Sequence, residues 1–217
     1  MNARTTLAAL LCLAALPLLG GCATTHPYDY TNFRAHPPRS ILILPPLNES
    51  TVIEGTYGYL STVSRPVAEL GYYVFPVEEI DRFFKENGMP TAGEMHQAPL
   101  NRVREVTGAD AVLLVTLEQY GTHYHVLDST TVVKVRAQLL DTHSQVLLWE
   151  GQGEAQQSGS GSGSLLADLI ATAVVQAINS KTDSAHQVSR LANTNLFYAK
   201  DAGLPFGPYS PKYNREP

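Results

Sequence analysis

Residues 110–150, DAVLLVTLEQYGTHYHVLDSTTVVKVRAQLLDTHSQVLLWE, decide the fold of this chain. The first nine residues, Asp110 to Glu118, are almost continuously apolar, which is typical of a strand buried on both faces. Between Val133 and Leu139, apolar residues alternate with polar ones, which is the pattern of a strand with one exposed face. Asp141 to Ser144 has the composition of a turn, and Val146 to Trp149 is predicted as the returning strand. The stretch therefore predicts a buried strand followed by an antiparallel meander.

The segments before and after this stretch add helices and further buried strands. SILIL, at residues 40–44, is a second apolar run, and a proline pair follows it. Apolar residues at helical spacing between Leu60 and Leu70 predict a helix that Pro66 should kink or split. Similar signals predict a short strand at 72–75, helices after Pro76 and at 99–107, a Gly/Ser spacer at 157–164 and an amphipathic helix at 165–178. The order predicts an α/β fold in which helices pack on a mixed sheet, parallel strands plus an antiparallel meander.

Composition and charge narrow the classes of function. The chain has 217 residues, 44% of them apolar and 16% charged, which is enough for one domain with its own core. A formal net charge of −5 argues against nucleic-acid binding, which needs basic surfaces. The two cysteines, Cys12 and Cys22, both lie near the N-terminus, so a disulfide-stapled fold and a Cys-rich zinc module are disfavoured.

Residues 1–21 have the features of a secretory signal peptide. Arg4 supplies a positive charge, and the uncharged run that follows, about 15 residues, is shorter than the ~20 residues of a membrane-spanning helix. The run ends in Leu19-Gly20-Gly21-Cys22, which resembles the lipobox of bacterial lipoproteins. That resemblance implies cleavage before Cys22 and acylation of this cysteine with chains such as palmitate. An ordinary signal peptide with an incidental cysteine, or a buried N-terminal helix, is the alternative.

The residue after the cysteine bears on the choice of membrane. Lipoproteins retained in the inner membrane typically have Asp at this position, and this chain has Ala23. The resemblance therefore implies an anchor in the outer membrane of a Gram-negative cell, with the body of the protein facing the periplasm.

The mature chain divides into three predicted parts. Residues 22–38 are predicted as a lipidated tether, 39–182 as the α/β domain, and 183–217 as a C-terminal helix with an extended tail rich in Pro and Tyr. In this tail, Phe206, Tyr209 and Tyr213 are candidate partner-docking residues, because extended aromatic segments fit grooves on other proteins. Packing of the tail on its own domain is an equally weighted alternative.

Three segments resemble a known family. They are LSTVSRPVAELGYYVFPVEEID at 60–81, GADAVLLVTLEQYGTHY at 108–124, and LLWEG at 147–151. They resemble a lipoprotein family of unassigned function that includes a meningococcal surface-antigen candidate. The whole pattern is also similar to the α/β domains of curli-secretion-type lipoproteins and to the N-terminal domain of TolB. The resemblance implies a TolB N-terminal-like fold and no catalytic residues.

The same resemblance implies a role. It predicts a lipid-anchored, protein-binding accessory of an envelope transport, secretion or assembly system. The partners expected from it are other envelope lipoproteins or a curli-secretion-type channel, and we also expect a homodimer. A second hypothesis is an activator of a peptidoglycan synthase, since one kind of lipoprotein activator uses a similar domain on a long tether.

Few residues suggest chemistry. His123 and His125 fall on one face of a predicted strand, with Asp128 nearby, as two ligands of a metal-assisted hydrolase could. Two surface histidines are the simpler interpretation. The serines at 158–164 lack the glycine spacing of a nucleophile elbow, and no lysine follows them as in a phosphate loop. We therefore predict no enzyme, no cofactor and no metal.

Overall fold

The computed structural model describes residues 28–124, 129–158 and 184–213. These residues form six helices and six strands. In chain order they are α1 (Thr31–Ala35), β1 (Ser40–Ile43), β2 (Leu47–Asn48), α2 (Gly55–Glu69), β3 (Tyr73–Val74), α3 (Val77–Glu86), α4 (Ala92–His96), α5 (Leu100–Thr107), β4 (Ala111–Tyr124), β5 (Ser129–Asp141), β6 (Leu147–Ser158) and α6 (Ser184–Phe197).

The strands form one mixed sheet in the order β3-β1-β4-β5-β6, and β2 also pairs with β4. β1 runs parallel to β3 and β4, whereas β4, β5 and β6 are antiparallel neighbours. The predicted α/β fold with a mixed sheet is therefore confirmed. We call the end of the sheet where β1 and β4 begin and β5 ends the base, and the opposite end, where β4 ends and β5 begins, the tip. At 14 residues, β4 spans about 45 Å between them.

Helices cover the two faces of the sheet unequally. On one face, α2 and α6 pack on all the long strands and bury the larger apolar core, in which the Trp149 and Phe197 rings stack 5.8 Å apart. On the other face, α3, α4 and α5 cover β1 and the start of β4 with a second core around Phe84 and Met95. No helix among the described residues covers the rest of that face, which is mostly polar, and this explains the alternation seen in the sequence of β5.

Two glycines let α6 approach β6 closely. A Cβ on Gly153 would collide with the carbonyl oxygen of Ala192 and lie 2.6 Å from the Cβ of Leu196. A Cβ on Gly151 would lie 2.5 Å from the Trp149 ring. Side chains at these positions would hold the helix away from the sheet, so the pair sets the distance at which α6 packs.

Three local predictions need correction. The split at Pro66 does not occur, because Pro66 lies near the end of one continuous helix and removes only a single helical hydrogen bond. Residues 28–38, predicted as tether, are folded: Tyr30 and Phe33 are buried, and the Tyr30 hydroxyl donates to the carbonyl of Gly203 at 2.6 Å. The tail is not extended over 203–213, because it turns back onto the domain and buries Leu204.

The helix predicted within 183–217 packs into the main core. Val188, Ala192 and Leu196 of α6 are fully buried against the sheet, so α6 shares one core with the strands. The predicted helix at 165–178 and most of the predicted Gly/Ser spacer lie outside the described residues, as does the predicted signal peptide.

Candidate functional site

The C-terminal tail crosses the base beside the end of α2. The N–H of Gly207 donates to the carbonyl of Leu70 at 2.9 Å, and the N–H of Tyr209 donates to that of Gly71 at 3.0 Å. Gly71 has φ +97°, and a Cβ there would collide with the backbone nitrogen of Ser210. Both the backbone conformation and the close approach of the tail therefore require glycine at this position.

The three predicted docking residues have different environments. Phe206 is half-buried against the main core, and the ammonium of Lys212 lies 5.3 Å from its ring centre. Tyr209 and Tyr213, by contrast, are 61% and 41% exposed. Phe206 thus packs on its own domain, and the two tyrosines are presented to solvent.

A third tyrosine, which the sequence pattern did not single out, joins this surface. Tyr198 follows α6, is 43% exposed, and donates through its hydroxyl to the carbonyl of Pro66 at 3.4 Å. Tyr72, beneath the tail, donates to the carbonyl of Pro205 at 2.5 Å, and burial raises its pKa. We call Tyr198, Tyr209 and Tyr213 the base tyrosines. Tyr72 contributes to holding the tail that carries two of them.

The first described residue, Tyr28, is also held at the base. Its N–H donates to the carbonyl of Asp201 at 3.2 Å, and its hydroxyl accepts from the N–H of Glu150 at 2.9 Å. Its ring lies 4.8 Å from that of Tyr30, and burial raises its pKa against the opposing effect of the bond from Glu150. The chain from Cys22, which itself lies outside the described residues, therefore enters the domain at the base.

At the tip, a loop exposes an aliphatic side chain. Ile53 is 86% exposed, while its neighbour Val52 packs against Gly121, which has φ +115°. The loop is fixed by Asn48, whose amide donates to the carbonyl of Val52 at 2.8 Å and whose side-chain oxygen accepts from the N–H of Ser50 at 3.0 Å. Ile53 is thus presented by an ordered loop.

Tyr57, in the first turn of α2, extends this exposed surface. It is 51% exposed, and its hydroxyl accepts from the ammonium of Lys85 at 2.8 Å. Hydrogen bonds to Asp81 and to Tyr57 raise the pKa of Lys85 to about 12. Lys85 therefore stays protonated at neutral pH and keeps the Tyr57 ring in place. We call Ile53 and Tyr57 the tip patch.

The open face of the sheet carries balanced charges. Glu118 on β4 pairs with Lys134 at 3.3 Å and with Arg136 at 3.0 Å, both on β5. Farther along, the amide of Gln138 donates to Glu150 at 3.3 Å. These cross-strand pairs satisfy the charges of Glu118, Lys134 and Arg136 and the amide of Gln138.

Buried side-chain nitrogen and oxygen atoms in the described part of the chain are all hydrogen-bonded. Between α2 and α6, the Tyr59 hydroxyl donates to the side-chain oxygen of Asn193, whose amide donates to Thr62 at 2.9 Å. Burial raises the pKa of Tyr59, so this hydroxyl stays protonated. His96 bonds the carbonyl of Pro45 at 2.8 Å, and burial lowers its pKa. Both contacts tie elements of the fold together.

The histidine hypothesis rests partly on residues outside the described ranges. His123 is exposed on β4, where it pairs in register with Thr130, whereas His125 and Asp128 lie outside the described residues. Over 28–124, 129–158 and 184–213, no three His, Cys, Asp or Glu side chains are grouped as metal ligands. Within the same ranges, no helix is both long enough and apolar enough to cross a membrane.

Comparison with known proteins identifies the family. The model of the family described as "Putative lipoprotein GNA1162-like" matches residues 28–209. "Putative lipoprotein NMB1124/NMB1162" of Neisseria meningitidis serogroup B (strain ATCC BAA-335 / MC58) is 40% identical over 190 residues, covering 86% of this chain and 88% of that protein.

Two solved structures can be set beside the fold. The crystal structure of lipoprotein GNA1162 from Neisseria meningitidis is 40% identical, with a TM-score of 0.56, and the match covers 64% of this chain and 96% of that one. The LpoB C-terminal domain from Escherichia coli is 15% identical, with a TM-score of 0.41 over 55% of this chain and 84% of that one, a likeness too weak to bear on function. The resemblance predicted from the sequence is thus confirmed, and this chain belongs to the GNA1162-like lipoprotein family.

Proposed function

We propose that this protein is anchored to the outer membrane through acylated Cys22 and acts in the periplasm as a protein-binding accessory of an envelope transport, secretion or assembly system. The lipobox at 19–22 and the membership of a lipoprotein family support the anchor. Ala23, in place of Asp, supports the outer membrane. The role is one of binding rather than catalysis.

The exposure of Ile53 carries the proposal of a protein partner. An aliphatic side chain that is 86% exposed on an ordered loop contributes nothing to the core, and the aromatic ring of Tyr57 belongs to the first turn of the helix that follows. Aliphatic and aromatic side chains held in place before binding are the usual anchors of protein interfaces. The tip patch also lies at the end of the sheet away from the entry of the lipidated N-terminus, where envelope proteins can reach it.

The segment between Cys22 and Tyr28, which we call the linker, is short, and its length favours partners in or beside the same membrane. Because Tyr28 is already held to the domain by its bonds to Asp201 and Glu150, the chain from Cys22 to this residue spans at most about 22 Å. Adding about 45 Å for the sheet gives a reach of about 70 Å for the tip. A reach this short suits another outer-membrane lipoprotein, a secretion channel or a second copy of the chain. It does not favour activation of a peptidoglycan synthase on the opposite membrane.

Site-specific crosslinking in cells tests the proposal. A photoreactive amino acid at position 53 should give a discrete adduct whose second component is another envelope protein or a second copy of this chain. The same amino acid at position 106 is a matched control, because Val106 is also aliphatic and 63% exposed, but lies on α5 near the base. Recovery of only unrelated abundant proteins from position 53 would contradict the proposal.

A pair of substitutions gives an independent readout. Ile53→Ser should abolish co-purification of the crosslinked partner, whereas Val106→Ser should leave it unchanged. Both side chains are largely exposed, so each change should alter the free energy of unfolding by less than about 0.5 kcal/mol. Equal co-purification with both variants would place the partner's contact elsewhere and contradict the tip patch.

A further inference from the structure

The distance from the proposed lipid anchor to the domain is short. Five residues separate Cys22 from Tyr28, and six Cα–Cα steps span at most about 22 Å even when fully extended. Tyr28 is fixed to the base by its bonds to Asp201 and Glu150. If Cys22 is acylated, as proposed above, the base is held within about 22 Å of the bilayer surface.

The base is about as wide as the linker is long. The five strands in the order β3-β1-β4-β5-β6 cover about 19 Å at the usual strand spacing. Tyr28 enters beside β6, and the tail crosses to Gly71 beside β3, so the tail lies across the same end of the domain. The base can therefore rest on the bilayer without any strain in the linker.

The base tyrosines have the chemistry of an interfacial contact. Their exposed fractions are 43%, 61% and 41%, and all three lie around the C-terminal end of α2. Tyrosine is enriched where membranes meet water, because its ring is apolar and its hydroxyl remains hydrated. The tail that carries two of them is held in turns by backbone hydrogen bonds, so little further ordering is needed on contact.

The charges along this segment are compatible with lipid headgroups. From Tyr198 to Tyr213 the exposed charged residues are Lys200, Lys212 and a single acid, Asp201. A small excess of lysine over acid favours contact with anionic phosphates. The exposed aliphatic Ile53 lies at the opposite end, so the two ends of the sheet differ in chemistry as well as in distance from the anchor.

From these observations we infer that the base tyrosines lie in the headgroup layer of the membrane that holds the lipid anchor. They orient the domain with its base on the bilayer and its tip patch directed into the periplasm. The inference rests on acylation of Cys22, and its partner is a lipid surface rather than the groove of a protein.

Depth-dependent quenching tests the inference on the full lipidated protein. Once Cys22 is acylated its sulfur is a thioether, so a single introduced cysteine can be labelled with a fluorophore. Pro211→Cys places the label between Tyr209 and Tyr213 without removing either, and Ile53→Cys is the matched position at the tip. In vesicles of phosphatidylethanolamine and phosphatidylglycerol with nitroxide on the headgroups, we expect loss of emission at 211 and none at 53. Equal quenching at both positions, or none at 211, would overturn the inference.

A second comparison tests the tyrosines themselves. On the Pro211→Cys background, the double change Tyr209→Ser and Tyr213→Ser should reduce the quenching, whereas Tyr57→Ser at the tip should not. Each of these tyrosines is more than 40% exposed, so the domain should stay folded. Undiminished quenching in the double variant would show that the linker alone holds the base near the bilayer and would overturn the role of the tyrosines.

Acylation of Cys22 and contact of the base tyrosines with the membrane can be refuted independently of each other. Mass spectrometry of the N-terminal peptide first establishes whether Cys22 carries acyl chains. An unmodified peptide would refute the anchor in the proposed function. An acylated protein whose label at 211 is not quenched would refute the membrane contact alone. Capture of a protein by a photoreactive residue at position 213 would likewise replace the lipid partner with a protein groove.

Discussion

Substitution of Gly71 by alanine should release the tail from the base. The change should lower the free energy of unfolding for two reasons, and each can be seen separately in the structure. The first is the backbone: at φ +97°, a residue with a Cβ is strained by about 1–2 kcal/mol. The second is contact, since the Cβ would collide with the backbone nitrogen of Ser210. To avoid it, the tail must give up the bonds of Gly207 to Leu70 and of Tyr209 to Gly71, each contributing about 1 kcal/mol.

Gly88 provides the matched control for this prediction. Its φ of +83° is similar, but a Cβ there meets nothing within 4 Å. Gly88→Ala should therefore lower the free energy of unfolding by only about 1–2 kcal/mol. Gly71→Ala should lower it by about 3–4 kcal/mol, because the strain and the two lost bonds add. The difference, about 2 kcal/mol, measures the docking of the tail.

Urea denaturation of the two variants measures these free energies, and chymotrypsin provides an independent assay. A released tail should be cleaved at Tyr209 faster in Gly71→Ala than in Gly88→Ala, under conditions in which both domains remain folded. Equal destabilisation by the two changes, with equal rates of cleavage, would show that docking of the tail does not depend on its close approach to Gly71.

Further predictions concern the core and the effect of pH. Gly153→Ala should cost about 1–3 kcal/mol in urea denaturation, because its Cβ forces α6 away from β6; an unchanged midpoint would contradict this close packing. Asn193→Ala should cost about 1–3 kcal/mol by leaving the buried Tyr59 hydroxyl without its acceptor, whereas Asn195→Ala, which removes only a bond from an exposed amide to the carbonyl of Glu154, should cost less. Burial opposes ionisation of Asp141, but hydrogen bonds from the 143–144 turn outweigh it and hold its pKa below the ordinary value. The stability this carboxylate adds is therefore present at neutral pH and lost as the pH falls through its folded pKa, so Asp141→Asn should destabilise at pH 7 and progressively less at lower pH.

The sheet was predictable because its signals are local and periodic. The apolar run from Asp110 to Glu118 becomes β4, which pairs with β1, β2 and β5, and the alternation from Val133 to Leu139 becomes a strand with one open face. A strand that is buried on both sides needs apolar residues at every position, and one with an open face needs them at every second. Fold class therefore followed from the sequence.

The folding of both termini onto the base could not be predicted in the same way. The segment before β1 contributes two aromatic anchors, Tyr30 and Phe33, to the core, and its helix of five residues is too short to show a period. The tail is held largely by backbone N–H groups, which every residue except proline has. Only Gly71 marks the docking site in the sequence, and it reads equally well as the end of a helix.

The residues of the candidate surfaces were likewise only partly predictable from the sequence. Cys22 is recognisable from its sequence context alone. The sequence also predicts Phe206, Tyr209 and Tyr213 as docking candidates in a proline-rich tail, but it does not separate the two exposed tyrosines from the half-buried Phe206. Ile53 and Tyr198 were missed, because an isolated apolar residue beside a helix reads as part of its buried face until the packing is known.

Crosslinking from position 53 in living cells asks whether the tip patch binds an envelope protein while the chain is anchored in its membrane. We expect one discrete adduct from position 53, containing another envelope protein or a second copy of the chain, and no such adduct from position 106. The same set of abundant, unrelated proteins at both positions would contradict this expectation.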